Sequence, residues 1–260
     1  MIQADKFWSA SLREEFGRTE PSALSIWYLG LAGLLIQSPH AVLVIDPYFG
    51  GSPDIDTLRM TAVPLDPGCI ERCDAVLSTH SHVDHCHRES IAPILTRCAS
   101  KLLGGASSIR MARTWGLDEK ALVVLSPGAE YDVRDVRVRS VRARDPLEPE
   151  AIAFVVEWRG HRLFHSGDTH PCDAFDELGR EQPVDVAFLN FGGGPDHWYM
   201  DAEEVLATAA ALRAKTIVPI HWDAWKRSLP TLDEVVKLRS APSVDVRFMV
   251  LGDRYTLRGA

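Results

Sequence analysis

The most chemically suggestive part of the chain is a group of metal-ligand side chains directly after an apolar segment. It reads Thr79-His80-Ser81-His82-Val83-Asp84-His85, an HxHxDH motif. A divalent ion needs several lone pairs converging on one point, and imidazole and carboxylate groups supply them. A polar loop with coincidental histidines would rarely hold so many ligand types in so few positions. We predict that His80 and His82 bind one ion, and that Asp84 and His85, at the start of the next helix, face a second.

Two later residues extend this pattern. Asp168 follows a predicted strand, and the preceding Gly167 allows the tight turn that would direct the carboxylate inwards. His221 ends another predicted strand. Taken alone, each would more often be a helix cap or a buried, hydrogen-bonded side chain. Their order after the HxHxDH motif favours metal ligands, with the two oxygens of Asp168 able to bridge two ions.

The elements that position these residues follow from the hydrophobic pattern. Strand-like segments alternate with helical ones, which predicts sheets covered by helices in one domain spanning residues 1–260. Asp201 and Glu204 form a capping-box pattern at the start of one helix. The predicted strands are residues 24–29, 34–37, 42–45, 74–77, 121–125, 136–141, 152–158, 162–164, 184–190, 216–220 and 244–251, and the predicted helices are residues 7–16, 201–214 and 232–238.

Composition limits the possible partners and compartment. The chain has 260 residues, a formal net charge of −8 and five cysteines that form no CxxC pair. Phosphate backbones are bound mainly through Lys and Arg, so we expect no nucleic-acid partner. No apolar run is long enough for a bilayer and no secretory signal is apparent, so we expect a cytoplasmic protein without a membrane partner. A small-molecule substrate is expected, and a homo-oligomer is compatible with the composition.

On these motifs the chain resembles the metallo-β-lactamase superfamily and, more narrowly, the L-ascorbate-6-phosphate lactonase family. The resemblance implies an α/β fold, the four-layer αβ/βα sandwich, with one or two divalent ions (zinc or manganese) at one edge between two sheets. It also implies a metal-dependent hydrolase. The matching segments are residues 26–30, 74–80, 165–170 and 219–225, so they extend over nearly the whole chain.

One position departs from the superfamily pattern. Most members place a third histidine for the first ion after a strand in mid-chain, where this sequence has Asp145 before Pro146. The lactonase-like branch also tends to lack this histidine. Asp145 is therefore either an oxygen ligand of the first ion or a turn residue at the surface.

The reaction implied is attack of a metal-bound hydroxide on the acyl carbon of a small polar lactone, with or without a phosphate group, or of a related cyclic ester. Asp84 would bind metal and orient the hydroxide. His170, two residues after Asp168, is either a proton donor or substrate contact, or a hydrogen-bond partner of a ligand.

The predicted substrate rim is the glycine- and aromatic-rich segment 191–200, although a plain glycine turn is nearly as compatible with that sequence. A phosphorylated lactone would need a cation, for which Lys226 and Arg227 are candidates unless they are ordinary surface charges. Two other functions stay open: a phosphodiesterase like the phospholipase D branch of the superfamily, and a non-catalytic metal-binding protein. The predicted substrate-binding residues are His197, Trp198, Tyr199 and Lys226.

Overall fold

The computed structural model describes residues 16, 20, 22–54, 57–193 and 197–259 of the chain. Strands and helices alternate along these residues. The strands are β1 (Ala23–Gly30), β2 (Gly33–Gln37), β3 (Val42–Ile45), β4 (Ala75–Ser78), β5 (Lys101–Gly104), β6 (Leu122–Val124), β7 (Glu130–Val133), β8 (Val136–Arg142), β9 (Ile152–Trp158), β10 (His161–His165), β11 (Val186–Asn190), β12 (Thr216–Ile220), β13 (Asp245–Val246) and β14 (Arg254–Arg258). The α-helices are α1 (Arg88–Cys98), α2 (Ala106–Arg113), α3 (Asp173–Glu181), α4 (Ala202–Ala211) and α5 (Leu232–Arg239).

The strands form two mixed sheets. The first has the order β14-β1-β2-β3-β4-β5-β6 and the second the order β13-β12-β11-β10-β9-β8-β7. In the first sheet β3, β4, β5 and β6 are parallel, and in the second β10, β11, β12 and β13 are parallel. The remaining neighbours are antiparallel, including the hairpin of β9 and β10.

Successive side chains of a strand face opposite sides of its sheet, and this alternation builds the layers of the fold. In β1, Ile26 and Tyr28 face the apolar core between the sheets, whereas Trp27 and Leu29 face the core under α1 and α2. The outer face of the second sheet packs in the same way against α3, α4 and α5. Helices therefore cover both outer faces of a two-sheet sandwich, and the predicted αβ/βα fold class is confirmed.

Several local predictions need correction. The segment 244–251 is not one closing strand: only Asp245–Val246 pairs there, and the strand that completes the first sheet is β14. Asp84 and His85 precede α1, in a turn closed by hydrogen bonds from the N–H groups of His85 and Cys86 to the carbonyl of His82 (3.0 and 2.8 Å). The predicted helix at residues 7–16 lies outside the described residues except at its last position. No helix in the described ranges is long and apolar enough to cross a bilayer.

The strands deliver the candidate residues to one edge of the sandwich. Parallel strands place their carboxyl ends together, so β3 and β4 in one sheet and β10 and β12 in the other all end there. Backbone hydrogen bonds join the two sheets at this edge, from the N–H of His221 to the carbonyl of Leu31 (2.9 Å) and from the N–H of Ile152 to the carbonyl of Thr79 (3.1 Å). The site is therefore built on rigid strand ends.

Candidate metal centre

Two pairs of imidazole nitrogens face each other at this edge. Nε2 of His80 lies 2.9 Å from Nδ1 of His82, and Nε2 of His85 lies 3.0 Å from Nε2 of His221 in the other sheet. Three of these histidines are fully buried, and His82 is partly exposed. Two lone pairs that face each other so closely in a buried site repel unless a proton or a cation lies between them. The arrangement therefore suits two bound cations.

Asp168 lies between the two pairs. Its Oδ2 is 3.9 Å from Nε2 of His80 and 3.3 Å from Nε2 of His85, and its Oδ1 is 3.4 Å from Nε2 of His221. The turn before it depends on Gly167, which has φ +58° and whose added Cβ would lie 2.8 Å from Cβ of Thr79. A residue with a side chain would be both strained and overlapping there, which supports the predicted reason for a glycine at this position.

The distances between donors fit shared ions. Two ligands that are each about 2.1 Å from one ion lie at most about 4.2 Å apart. Asp84 meets this limit, with Oδ2 3.9 Å from Nε2 of His221 and Oδ1 4.0 Å from Nε2 of His85. The donors thus separate into two sets, His80, His82 and Asp168 on one side and Asp84, His85 and His221 on the other.

A buried carboxylate behind the site sets the tautomers of two ligands. Asp46, at the end of β3, accepts the hydroxyl proton of Thr79 (2.7 Å) and the Nδ1–H of His85 (2.8 Å) on Oδ2. Because Thr79 gives its proton to Asp46, its oxygen accepts the Nδ1–H of His80 (3.0 Å). Both imidazoles therefore present an unprotonated Nε2 to the centre, which is the form that a metal requires.

Asp145 lies next to the first set. Its Oδ1 accepts the backbone N–H of Leu147 (2.8 Å), and its Oδ2 is 3.9 Å from Nε2 of His80. The residue is 8% exposed, so the alternative of an ordinary surface turn does not describe it. One oxygen holds the turn and the other faces the site, where it is buried without a hydrogen-bond partner among the described residues.

The electrostatics agree with this arrangement. Burial lowers the pKa of His80 well below its ordinary value, and positive charge on His85 lowers it further. Burial would also lower the pKa of His85, but the carboxylates of Asp168 and Asp46 outweigh burial and raise it. Burial would raise the pKa of Asp168, but His221 and His85 outweigh it and hold that pKa well below the carboxyl range. A buried anion among imidazoles is thus stable when positive charge is present.

A cleft of about 230 Å³ opens above the centre and has His82, Asp84, Asp145 and Asp168 among its lining residues. Two of the predicted substrate-binding residues lie there. Trp198 and Tyr199 line the cleft, and the ring of Tyr199 stacks on His221 with 4.7 Å between ring centroids.

The other two predicted substrate-binding residues point elsewhere. Among the described lining residues the cation is Arg227 rather than Lys226, whose side chain is exposed. Nε2 of His197 lies 2.8 Å from Oε2 of Glu204, in a separate group that also contains His170. Substrate contacts by His197 and Lys226 stay predictions, without support from the cleft.

His170 has partners of its own. Its Nδ1 is 3.1 Å from Oε1 of Glu204, and its ring stacks on His197 at 5.2 Å. Glu204 is also the third residue of α4 and completes the predicted capping box with Asp201. Both predicted roles of His170, as a proton donor or substrate contact and as a hydrogen-bond partner of a ligand, stay predictions, because its observed side-chain partners Glu204 and His197 belong to neither ligand set.

Sequence reasoning missed two residues that touch the ligands. Asp46 follows β3 as Asp168 follows β10, and this strand-end position was the available signal. Trp225 donates its indole N–H to Oδ2 of Asp84 (3.0 Å). It stands four residues after His221 in the segment that supports the family resemblance, but nothing in the sequence shows that it would reach back to the HxHxDH motif.

Comparison with known proteins agrees with this geometry. Residues 25–221 match a β-lactamase superfamily domain, and the chain belongs to that superfamily of metal-dependent hydrolases. A Salmonella heidelberg protein described as a probable L-ascorbate-6-phosphate lactonase, UlaG, is 26% identical in an alignment that covers 84% of this chain and 75% of that protein.

Two solved structures show the same fold. Igni18, a metallo hydrolase from Ignicoccus hospitalis, superposes with a TM-score of 0.73 at 20% identity and covers 92% of this chain and 100% of its own. An isothiocyanate hydrolase from Delia radicum gut bacteria superposes with a TM-score of 0.74 at 18% identity. The superposition covers 91% of this chain and 100% of that hydrolase. At these identities the likeness concerns the fold alone, and the fold implies divalent metal ions at the strand-end site.

Proposed function

We propose that this protein hydrolyses a small lactone or related cyclic ester with the help of one or two divalent ions. The observation that carries the proposal is the pair of facing imidazole sets around Asp168, at the base of a cleft large enough for a small ring. Similarity to a lactonase-described relative supports a cyclic ester as the substrate class.

The residues fit such ions. Oδ1 of Asp168 and Oδ2 of Asp145 are buried without a hydrogen-bond partner among the described residues, as expected for atoms whose partner is a cation. The donor set is nitrogen and oxygen without thiolate, which suits zinc or manganese. Asp145 makes the first set richer in oxygen, and this favours manganese there.

A bound divalent ion would activate a water molecule and polarise the ester carbonyl. The chain's own residues arrange this chemistry. Asp46 and Thr79 orient the rings of His80 and His85, and Trp225 orients Asp84 through its indole N–H. Because one oxygen of Asp84 accepts that N–H, the carboxylate is held in an orientation in which it would bind a metal and orient the attacking water.

Tyr199 contributes at the cleft wall. Burial, together with the carboxylates of Asp168 and Asp84, raises the pKa of Tyr199 well above its ordinary value. In the metal-free protein its hydroxyl therefore keeps its proton and hydrogen-bonds with Ser228.

The test is turnover by the zinc- or manganese-loaded protein on a panel of lactones, linear esters and bis-p-nitrophenyl phosphate. We expect lactone hydrolysis that is lost in His82→Ala, with His40→Ala as a control because His40 is exposed and outside both ligand sets. Turnover of the phosphodiester alone would replace the proposal with the phosphodiesterase function. Metal binding without turnover of any substrate would favour a non-catalytic protein.

A further inference from the structure

Apolar side chains at the mouth of the cleft are exposed to solvent. Val83 is 50% exposed and Leu147 is 61% exposed, and both line the cleft. Val83 points outwards because its neighbours His82 and Asp84 turn towards the centre. Exposed apolar side chains are ordinary when scattered, but two at the rim of a concave site indicate a surface that a ligand covers.

Aromatic side chains continue this apolar wall and are held in place. Trp225 is fixed by its hydrogen bond to Asp84, and Tyr199 by stacking on His221. Trp198 lies under the guanidinium of Arg227, with 4.1 Å from Cζ to the ring centroid. The wall is thus formed before a ligand binds, which lowers the entropic cost of binding.

Few polar groups remain for a substrate after the metal-ligand candidates are set aside. In the described lining these are Asp54, Thr57, Tyr199, Arg227 and Ser228, and they already pair with one another. The hydroxyl of Ser228 lies 3.4 Å from the carbonyl of Trp225, and Nη1 of Arg227 lies 3.4 Å from Oγ1 of Thr57. A substrate rich in hydroxyl groups would lose its water contacts and regain few of them here.

Resting on the proposed function, we propose that the cleft selects lactones with an apolar substituent. The ring carbonyl would face the metal-ligand candidates, and the substituent would pack against Val83, Leu147 and Trp198. The cleft, of about 230 Å³, is smaller than the roughly 300–1,000 Å³ of typical ligand pockets, so a small ring with a short alkyl chain suits it. The selectivity therefore concerns short chains.

The first test compares γ-lactones whose alkyl chain grows by one methylene at a time with a phosphorylated sugar lactone. We expect kcat/KM to rise about twofold to fourfold with each methylene until the cleft is full and then to level off. Leu147→Ala should lower kcat/KM for the longer lactones by about three- to tenfold and reduce the gain per methylene. Leu232→Ala is the matched control, because Leu232 is also an exposed leucine (76%) but does not line the cleft.

A second test separates this inference from the proposed function. Calorimetry measures the binding of n-alkyl hydroxamates to the metal-loaded protein, which requires no turnover. We expect the affinity for hydroxamates to increase about twofold to fourfold with each methylene. Burial of the apolar chain should also give a negative heat-capacity change of binding. Affinity independent of chain length, or a phosphorylated lactone preferred over alkyl lactones, would overturn the inference. Chain-dependent hydroxamate binding without lactone hydrolysis would support the apolar cleft and reject the proposed reaction.

Discussion

Replacing Asp46 with asparagine tests how the ligands are oriented. The carboxylate of Asp46 accepts three hydrogen bonds, on Oδ1 from the N–H of Thr79 (2.8 Å) and on Oδ2 from the hydroxyl of Thr79 (2.7 Å) and the Nδ1–H of His85 (2.8 Å). An amide supplies one oxygen and one NH₂ group, so in either orientation a donor meets a donor. If the NH₂ faces His85, Nδ1 must become the acceptor and the proton moves to Nε2, the atom that faces the centre.

The expected loss follows from this change of tautomer. Partners of metal-binding histidines are worth about 10- to 100-fold in metal affinity. This range corresponds to about 1.4 to 2.8 kcal/mol. The metal-free protein should also lose about 1 to 3 kcal/mol of unfolding free energy, since Asp46 is fully buried and one of its donors would lack an acceptor.

The assay is competition for zinc with a chromophoric chelator, with the near-UV circular dichroism of each variant as a check on folding. Asp185→Asn is the control. Asp185 also accepts a backbone N–H, from Arg162 (2.9 Å), and pairs with Lys215 (2.6 Å), but it precedes β11 and so lies at the opposite end of the second sheet. If folded Asp46→Asn binds zinc as tightly as the Asp185→Asn protein, the orientation argument is wrong.

Further predictions concern the turn, the pH dependence and the metal. Gly167→Ala should lower the free energy of unfolding by about 2 to 4 kcal/mol in urea titrations, because both its φ of +58° and the close approach to Thr79 oppose a side chain. Gly160→Ala, at φ +83° with open space around it, should lose only about 1 kcal/mol. In metal-free protein the pKa of His85 is raised above its usual 6.5, so its contribution to stability is fully present below pH 6.5 and is lost as pH rises through the folded-state pKa. Urea titrations from about pH 6 to 9 should therefore show the wild-type advantage over His85→Gln shrinking as pH rises. Asp145→His should raise the ratio of zinc to manganese affinity at the site of His80, His82 and Asp168, next to which Asp145 lies. An unchanged ratio would exclude Asp145 as a ligand. Chelation should lower the melting temperature, since ions bound only to the native state stabilise it by about 2.7 kcal/mol at 100 times Kd.

Local sequence patterns were sufficient for the ligand-bearing strand ends. The segment ending at Leu77 and the one from Thr216 to Ile220 are short apolar runs followed within three residues by a histidine, and the structure forms β4 and β12 there. Parallel strands in a sandwich must then bring those ends to one edge. The closing strand was misplaced because the apolar run 244–251 looks more like a strand than the charged sequence of β14, which is specified by pairing with β1.

Contacts between distant segments could not be predicted from such patterns. Trp225 reaches Asp84 across 141 positions, and the pairing of His170 with Glu204 joins a strand end to a helix start 34 positions later. Neither pairing has a local periodic signal, because the first depends on how the two sheets pack and the second on how α4 packs against the second sheet. The same holds for the cleft wall, where Leu147 follows β8 and Trp198 lies in the segment before α4.

Anomalous diffraction from crystals grown with zinc or manganese would test the central claim most directly. We expect one peak about 2.0 to 2.2 Å from ligand atoms of His80, His82 and Asp168, and a second at the same distance from Asp84, His85 and His221. A single peak at either set would still agree with a metal-dependent hydrolase. No peak at either set in protein soaked with both metals, or a peak only at His170, His197 and Glu204, would contradict the account.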